Sequence, residues 1–271
     1  IIAILAGLLL PALGRAKSKA LGIGCLNNTK TITLAWIMYS GDFNDRVANN
    51  YGVSETFEAI NNGKLDNWVN NVMSWGVDPV ITNVALVANG ALGRYTAATV
   101  GAYRCPADNY VSPDQRKAGH TQRNRSLSMN SVFGRFRSVA TGDPTASGRS
   151  WGFDEYRQYL KLSEVPRPVK TWLILDEHPD SINDGFFINN PDASHWQDIP
   201  ASHHGGACGF SFADGHSEIK KWRSATSIYK RVKYSYPITM NFDAAGRLDF
   251  KWYLERTGFT LFSNGKPQFG Y

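Results

Sequence analysis

The sequence predicts an α+β fold in which a long N-terminal α-helix, a stalk, packs on an antiparallel β-sheet head with long loops. Three observations predict it. The first forty residues are helix-periodic and open on IIAILAGLLLPALG, with no charge before Arg15. The remainder is aromatic-rich, and the chain as a whole holds eight Trp, 25 Gly and 12 Pro, a composition of strands and loops rather than of a helical bundle. Cys208 to Trp222, CGFSFADGHSEIKKW, alternates like a hairpin around Asp214-Gly215. The chain therefore divides into a helix over 1–40 and a head over 41–271, with the hairpin near 204–222.

The helix has two parts. Ile1 to Leu10 has no polar face, so it is buried all round in protein or sits in lipid. After Pro11, which breaks one backbone bond, the charges Arg15, Lys17 and Lys19 arrive while Leu13, Ala16, Ala20 and Leu21 keep helical spacing. The lower part lies on the head and the upper part projects from it. Ile1, Ile2, Ile4, Leu5, Leu8, Leu9, Leu10, Pro11 and Leu13 are the candidate assembly surface. A secretory signal peptide fits poorly, because no basic segment precedes the apolar run and the helical pattern continues past any cleavage site. A spanning helix needs ~20 apolar residues, so the apolar segment is expected to be longer than the part that begins at Ile1. A core helix of the ordinary kind would keep a polar edge. Gly41 with the Asn and Asp residues after it ends the helix near Ser40, with Trp36, Ile37 and Met38 as its last core contacts.

In the head, Asp66 to Trp75 reads as a short strand or turn pair carrying buried Trp68 and Trp75. Asp78-Pro79 starts a helix reaching toward Tyr95, with Pro at its first position. Leu127 to Phe136 reads as a strand and a glycine bend. Lys161 to Val165 is short and edge-like before Pro166 and Pro168. Thr171 to Asp176 is a continuous apolar run and the strongest central-strand signal. Asn183 to Ile188 is turn then strand. In the hairpin, Cys208, Phe210 and Phe212 share a face, Asp214-Gly215 is a two-residue type I′ turn, and Phe210 pairs with Ile219. Thr141 to Ser150 is an exposed loop. Tyr229 to Tyr271 is strand-like, with turns at Ala245-Gly246 and Asn264-Gly265.

The formal charge is +6. The basic residues are scattered except for Arg123, Arg125, Arg135 and Arg137, which read as a solvated face. Arg135-Phe136-Arg137 is too short to bind single strands, so no nucleic-acid partner is expected. There is no phosphate loop, dinucleotide fingerprint, GxSxG or HExxH. The chain does not read as an enzyme.

The densest set of possible metal ligands is Asp176, Glu177, His178, Asp180 and Asp184 together with His203, His204, Asp214 and His216. Carboxylates joined by asparagine and backbone oxygens would take calcium. Imidazoles with one carboxylate would take zinc. Against a metal, turn geometry alone accounts for Asp214, and His204 fits a hydrogen bond that pins the hairpin. Three cysteines, Cys25, Cys105 and Cys208, leave at least one unpaired within the chain. Cys208 reads as a small buried apolar residue.

IIAILAGLLLPAL followed by a small, basic stretch and CLNN resembles the N-terminal helix of type IV pilin-like proteins and pseudopilins. With YRCPAD, LSMN, LDEHPDSINDG, and His204 nine residues ahead of Asp214-Gly215, the chain resembles the large-headed subgroup carrying the H-x9-DG signature. The family's Phe-Thr-Leu-x-Glu start is missing, which places Ile1 some residues into the mature helix. The resemblance implies a Cys25–Cys105 disulfide, which would close a loop worth about 4 kcal/mol in chain entropy. It also favours calcium over zinc for a metal drawn from Asp176, Glu177, Asp184, His204, Asp214 and His216. It implies a structural subunit of an extracellular, cell-surface pilus or pseudopilus-like filament. Such a homo-oligomer polymerises through the helix, after anchoring in the inner membrane and handling by a pilus or secretion assembly machinery. The alternative is a membrane-tethered extracytoplasmic binding protein or metal-dependent enzyme with its site near His204 and Asp214.

Overall fold

The computed structural model describes residues 2–137, 145, 148–150, 157–236, 240–258, 260–263 and 266–269; of residues 1–6, 8 and those beyond 258, no side chain is described. The fold is α+β: a long N-terminal helix and a five-stranded mixed sheet.

Helix α1, Ile2–Asp42, runs unbroken through Pro11. Gly22, Cys25, Thr29, Ile32, Trp36 and Ser40 are buried, three or four residues apart, with Thr33 beside Ile32, so one stripe of the lower helix faces the head. Trp36 is a core contact, Ile37 is half-buried, and Met38 is exposed, contrary to expectation. The stripe turns away from Met38 by the helical period. Every side chain from Leu9 to Lys17 is exposed. Among the described residues no helix is long and apolar enough to cross a membrane.

The sheet has the order β3-β1-β2-β4-β5, built from β1 (Leu127–Asn130), β2 (Trp172–Asp176), β3 (Phe186–Phe187), β4 (Ala207–Phe212) and β5 (Ser217–Lys221). As expected, β2 is central and wholly buried. The sheet is not purely antiparallel, because β3 pairs parallel to β1 through Met129↔Phe186. After β2 the chain reverses over 177–185 and crosses to the free edge of β1. Both β1 and β3 therefore run opposite to β2.

Strand β4 is buried on both faces. Cys208, Phe210 and Phe212 enter an aromatic cluster with Trp172, Trp196, Trp222, Phe250 and Tyr253. The alternate residues face α1: a Cβ on Gly209 would lie 3.0 Å from Cys25 Sγ, and Ser211 meets Thr33. The sheet is thus sandwiched between the stalk and a C-terminal aromatic layer, the period-two pattern of a strand covered on both sides.

Several elements differ from expectation. The hairpin register is Gly209↔Ile219 and Phe210↔Glu218, one residue from the predicted pairing. Gly215 alone of the two turn residues has positive φ, +98°, and its N–H donates to Phe212 O at 2.9 Å. This is a type I turn closed by a left-handed glycine, the three-residue form, which shifts the register by one. The helix predicted from Pro79 toward Tyr95 is instead α2 (Pro79–Thr82), α3 (Ala85–Ala88) and a 3₁₀ turn at Gly93–Thr96. Asn83 is extended, and its side chain accepts from Ala85 N at 3.0 Å, starting a new helix instead of continuing the old one.

Asp66 to Trp75 is irregular because Asn67 and Asn70 bond to nearby backbone; Trp68 is buried and Trp75 only half so. Lys161 to Val165 forms a 3₁₀ turn at Leu162–Glu164, bridged to Arg46. Ala245-Gly246 is no turn but the start of α4 (Ala244–Leu254). Asp243 caps that helix, accepting from Gly246 N at 2.6 Å. Gly246, Asp249, Phe250 and Tyr253 form its buried stripe. Strands β6 (Thr260–Ser263) and β7 (Lys266–Phe269) pair antiparallel; Asn264 and Gly265 between them, and 141–144 and 146–147 of the expected loop, lie outside the described residues.

The arginine group is not a solvated face. Arg125 is fully buried, donating to Asn71 Oδ1, Leu127 O and Asp184 O. Arg123 forms a buried ion pair with Asp108 at 2.6 Å. Phe136 is also buried.

Candidate functional site

The conspicuous chemistry lies where the stalk meets the head. Asn28 of α1 donates from Nδ2 to Arg104 O at 2.6 Å and Gly101 O at 3.1 Å. A Cβ on Gly24 would come within 2.9 Å of Pro106, so the helix and the YRCPAD segment touch closely. This seats Cys105 beside Cys25. Asp176, the last residue of β2, reaches the same point from the sheet. Its backbone carbonyl accepts from Ala201 N at 2.8 Å and from Cys208 Sγ at 3.1 Å. His204 arrives from the turn before β4, with its ring against Gly22.

One ligand atom from each of Cys25, Cys105, Asp176 and His204 lies within 4.8 Å of every other. Both cysteines and Asp176 are fully buried; His204 is partly exposed. His204 Nε2 is 3.3 Å from Cys105 Sγ. Asp176 Oδ1 accepts from Ser126 Oγ at 2.7 Å, and that same hydroxyl accepts from Cys105 N at 2.8 Å. Asp176 Oδ2 and His204 Nδ1 are buried and have no hydrogen-bond partner in the protein.

Burial dominates the electrostatics. Burial pushes the Asp176 carboxyl up to about 6, against the pull of His203 and Ser126. Burial, then His203, lowers the His204 imidazole to about 4. The neighbouring Cys105 thiol favours ionisation of Cys25, but burial and Asp176 win and take it to about 11. Cys105 is pushed up further by its contact with Cys25 and by burial.

The expected pair Cys25 and Cys105 is brought together, buried side by side where the helix meets the head. The expected metal set is divided. Asp176 and His204 join the cysteines. Glu177 turns away to accept from Ser128 and Ser181 Oγ, each at 2.5 Å. Asp184 accepts from Phe186 N at 2.8 Å. Asp214 and His216 pair with each other at 2.6 Å on the hairpin turn. The oxygen-rich cage expected for calcium is not assembled from these residues.

His204 and Asp214 stand at opposite ends of β4, whose six residues span roughly 20 Å at ~3.3 Å per residue. They cannot share one ion, and the two ends of the hairpin approach different points on α1. His204 meets Gly22; a Cβ on Gly215 would lie 3.7 Å from Ile37 and 3.8 Å from Leu34. Twelve to fifteen helical residues rise about 18–22 Å, so the spacing from histidine to Asp-Gly matches the length of stalk that the hairpin grips. Cys208 is buried in the aromatic cluster, as its strand position foretold.

A cavity of about 310 Å³ lies alongside, lined by Lys17, Ser18, Tyr110, His203, Tyr229 and Lys230 among others.

The fold and this joint define a class: a head clamped onto the lower half of a long helix that is exposed from Leu9 to Lys17. No family model, no curated protein and no solved structure matches the chain.

Proposed function

We propose that the chain is the structural subunit of a helical filament of the type IV pilin-like or pseudopilin kind. One observation carries this reading. From Leu9 to Lys17 the helix has no contact that buries it, and Leu9, Leu10 and Leu13 are 57%, 69% and 63% exposed. Yet the same helix, from Gly22 on, is a well-packed part of the head. A protein gains nothing within its own chain from holding such leucines in water. Each contributes about 1.5–3 kcal/mol when buried. The partner that removes them from water is the equivalent helix of neighbouring copies. Such a contact is head-to-tail, and where its rotation does not close it generates an open helical fibre. The resemblance of the helix and of the H-x9-DG signature supports the same reading. It extends to a cell-surface location, membrane anchoring before assembly, and handling by an assembly machinery.

The test is assembly in the producing organism, comparing the native chain with a Leu9→Asn, Leu10→Asn, Leu13→Asn variant. Electron microscopy and sedimentation of the sheared surface fraction should find fibres from the first and none from the second. The head of the variant should melt at the native temperature, since these side chains support nothing inside it. Native material that stays monomeric and dispersed would overturn the proposal.

A further inference from the structure

We propose that Cys25, Cys105, His204 and Asp176 are the ligands of a structural zinc ion that fastens the stalk to the head. Four protein ligands in a closed site are what structural zinc takes, with thiolate, imidazole and carboxylate all accepted. With ~2.3 Å to sulfur and ~2.0–2.2 Å to nitrogen or oxygen, a tetrahedral centre holds its ligand atoms roughly 3.3–3.8 Å apart. The present spread, within 4.8 Å and 3.3 Å between Cys105 Sγ and His204 Nε2, needs only small side-chain rotations to reach that.

The second observation is Asp176. Its carboxylate is 0% exposed, and Oδ2 has no donor in the protein. A buried anionic group persists when it is paired or holds a metal. Among the described residues no salt bridge reaches it: Arg123 pairs with Asp108, and Arg125 bonds Asn71 and backbone. Two thiols converge from the other side. A divalent cation at their centre satisfies the carboxylate and the sulfurs together.

The donor set decides which ion. Two sulfurs and an imidazole select zinc; calcium demands six or more oxygens. Binding displaces the two thiol protons to solvent and leaves both cysteines as thiolates. His204, the one partly exposed ligand, is the entry side. Ser126, which holds Asp176 Oδ1 and the Cys105 backbone together, is the outer-shell residue that orients the carboxylate. The site has no open position for substrate, so its consequence is mechanical. The ligands come from α1, the YRCPAD segment, β2 and the turn before β4, and the ion ties all four together. The assignment stands independently of polymerisation.

The test uses the full chain, reduced, loaded with zinc and desalted. Plasma mass spectrometry should find one zinc per chain, and chelation should lower the melting temperature. Cobalt(II) in its place should give thiolate-to-cobalt charge transfer in the near ultraviolet and the intense visible bands of a tetrahedral centre. This readout needs no variant. Ser126→Ala should weaken zinc binding about 10–100-fold, the usual cost of losing an outer-shell partner. Asp214→Asn with His216→Ala, at the far end of the hairpin, should leave the stoichiometry unchanged. The assignment is overturned by a reduced chain that retains no zinc, by zinc that persists after Cys25→Ser with Cys105→Ser, or by a cobalt spectrum without sulfur charge transfer. Native material in which non-reducing peptide mapping finds Cys25 bonded to Cys105 overturns it equally.

Discussion

Thr33 of the stalk donates its hydroxyl to Ser211 Oγ of β4 at 2.6 Å, and both side chains are wholly buried. The bond sits toward the hairpin-turn end of the helix–strand contact and joins residues 178 apart in sequence. Thr33→Val keeps the shape and removes the donor. It leaves Ser211 buried without its partner, at a cost of about 1–3 kcal/mol. Adding Ser211→Ala to that variant should cost little more, because the orphaned group is gone. Urea unfolding of the four chains of the cycle, followed by tryptophan fluorescence, measures the coupling. Additive losses would show that the two hydroxyls act separately.

Asp184 makes stability fall as pH rises. It is buried beside Phe186, with Arg125 and Glu55 as the charged groups facing it, and burial is the largest influence on its carboxyl, raising it to about 7. In the unfolded chain the group ionises near its ordinary value of 3.8. Between those values the native state holds a proton that the unfolded state has lost, so the group's contribution is full below pH ~4 and is lost as pH climbs toward ~7. Asp184→Asn keeps an oxygen for Phe186 N and removes the charge. The variant should gain on the native chain steadily across that window and hold a constant advantage above it. Denaturant midpoints from pH 4 to 8 give the difference, and a difference that does not change with pH would sink the prediction.

How much of this was legible beforehand depends on whether the determining interaction is local. The long helix, the apolar run of β2 and the Asp-Gly hairpin announce themselves in consecutive residues, and all three are present. Helix α4 was legible in principle. Its buried positions, Gly246, Asp249, Phe250 and Tyr253, carry helical spacing, and Asp243 is an N-cap residue type, but Gly246 and the aromatics read first as turn and strand. That glycine answers to a neighbour instead, since a Cβ there would come within 2.1 Å of Thr226 Oγ1. The burial of Arg123 and Arg125 had no local sign, because Asp108, Asn71 and Asp184 lie far from them in the chain.

The joint itself was half legible. Asp176 and His204 stood out as possible ligands, and Cys25 and Cys105 as a pair. Nothing in the spacing joined the two sets. Short metal motifs work because neighbouring residues share a turn, whereas these four come from separate elements that meet only when the sheet closes on the stalk. Asp214 and His216 looked equally good in sequence. They were misleading because a strand carries its two ends far apart.

Gly215 gives the sharpest test of the hairpin, since its backbone and its surroundings make different demands. Its φ of +98° is strained for any residue with a Cβ, yet a Cβ there would meet only Ile37 and Leu34 at ordinary contact distance. The cost of substitution is therefore conformational, about 1–2 kcal/mol for placing an L-residue in the left-handed region. Gly215→Ala and Gly215→Val should both lose about that much. Gly215→Asn should lose less, because asparagine tolerates this region best among the non-glycine residues. Unfolding in denaturant separates the cases. A valine loss several times that of alanine would place the constraint in packing against the stalk instead of in the turn, and an unchanged stability for all three would remove the left-handed glycine from the account of the register.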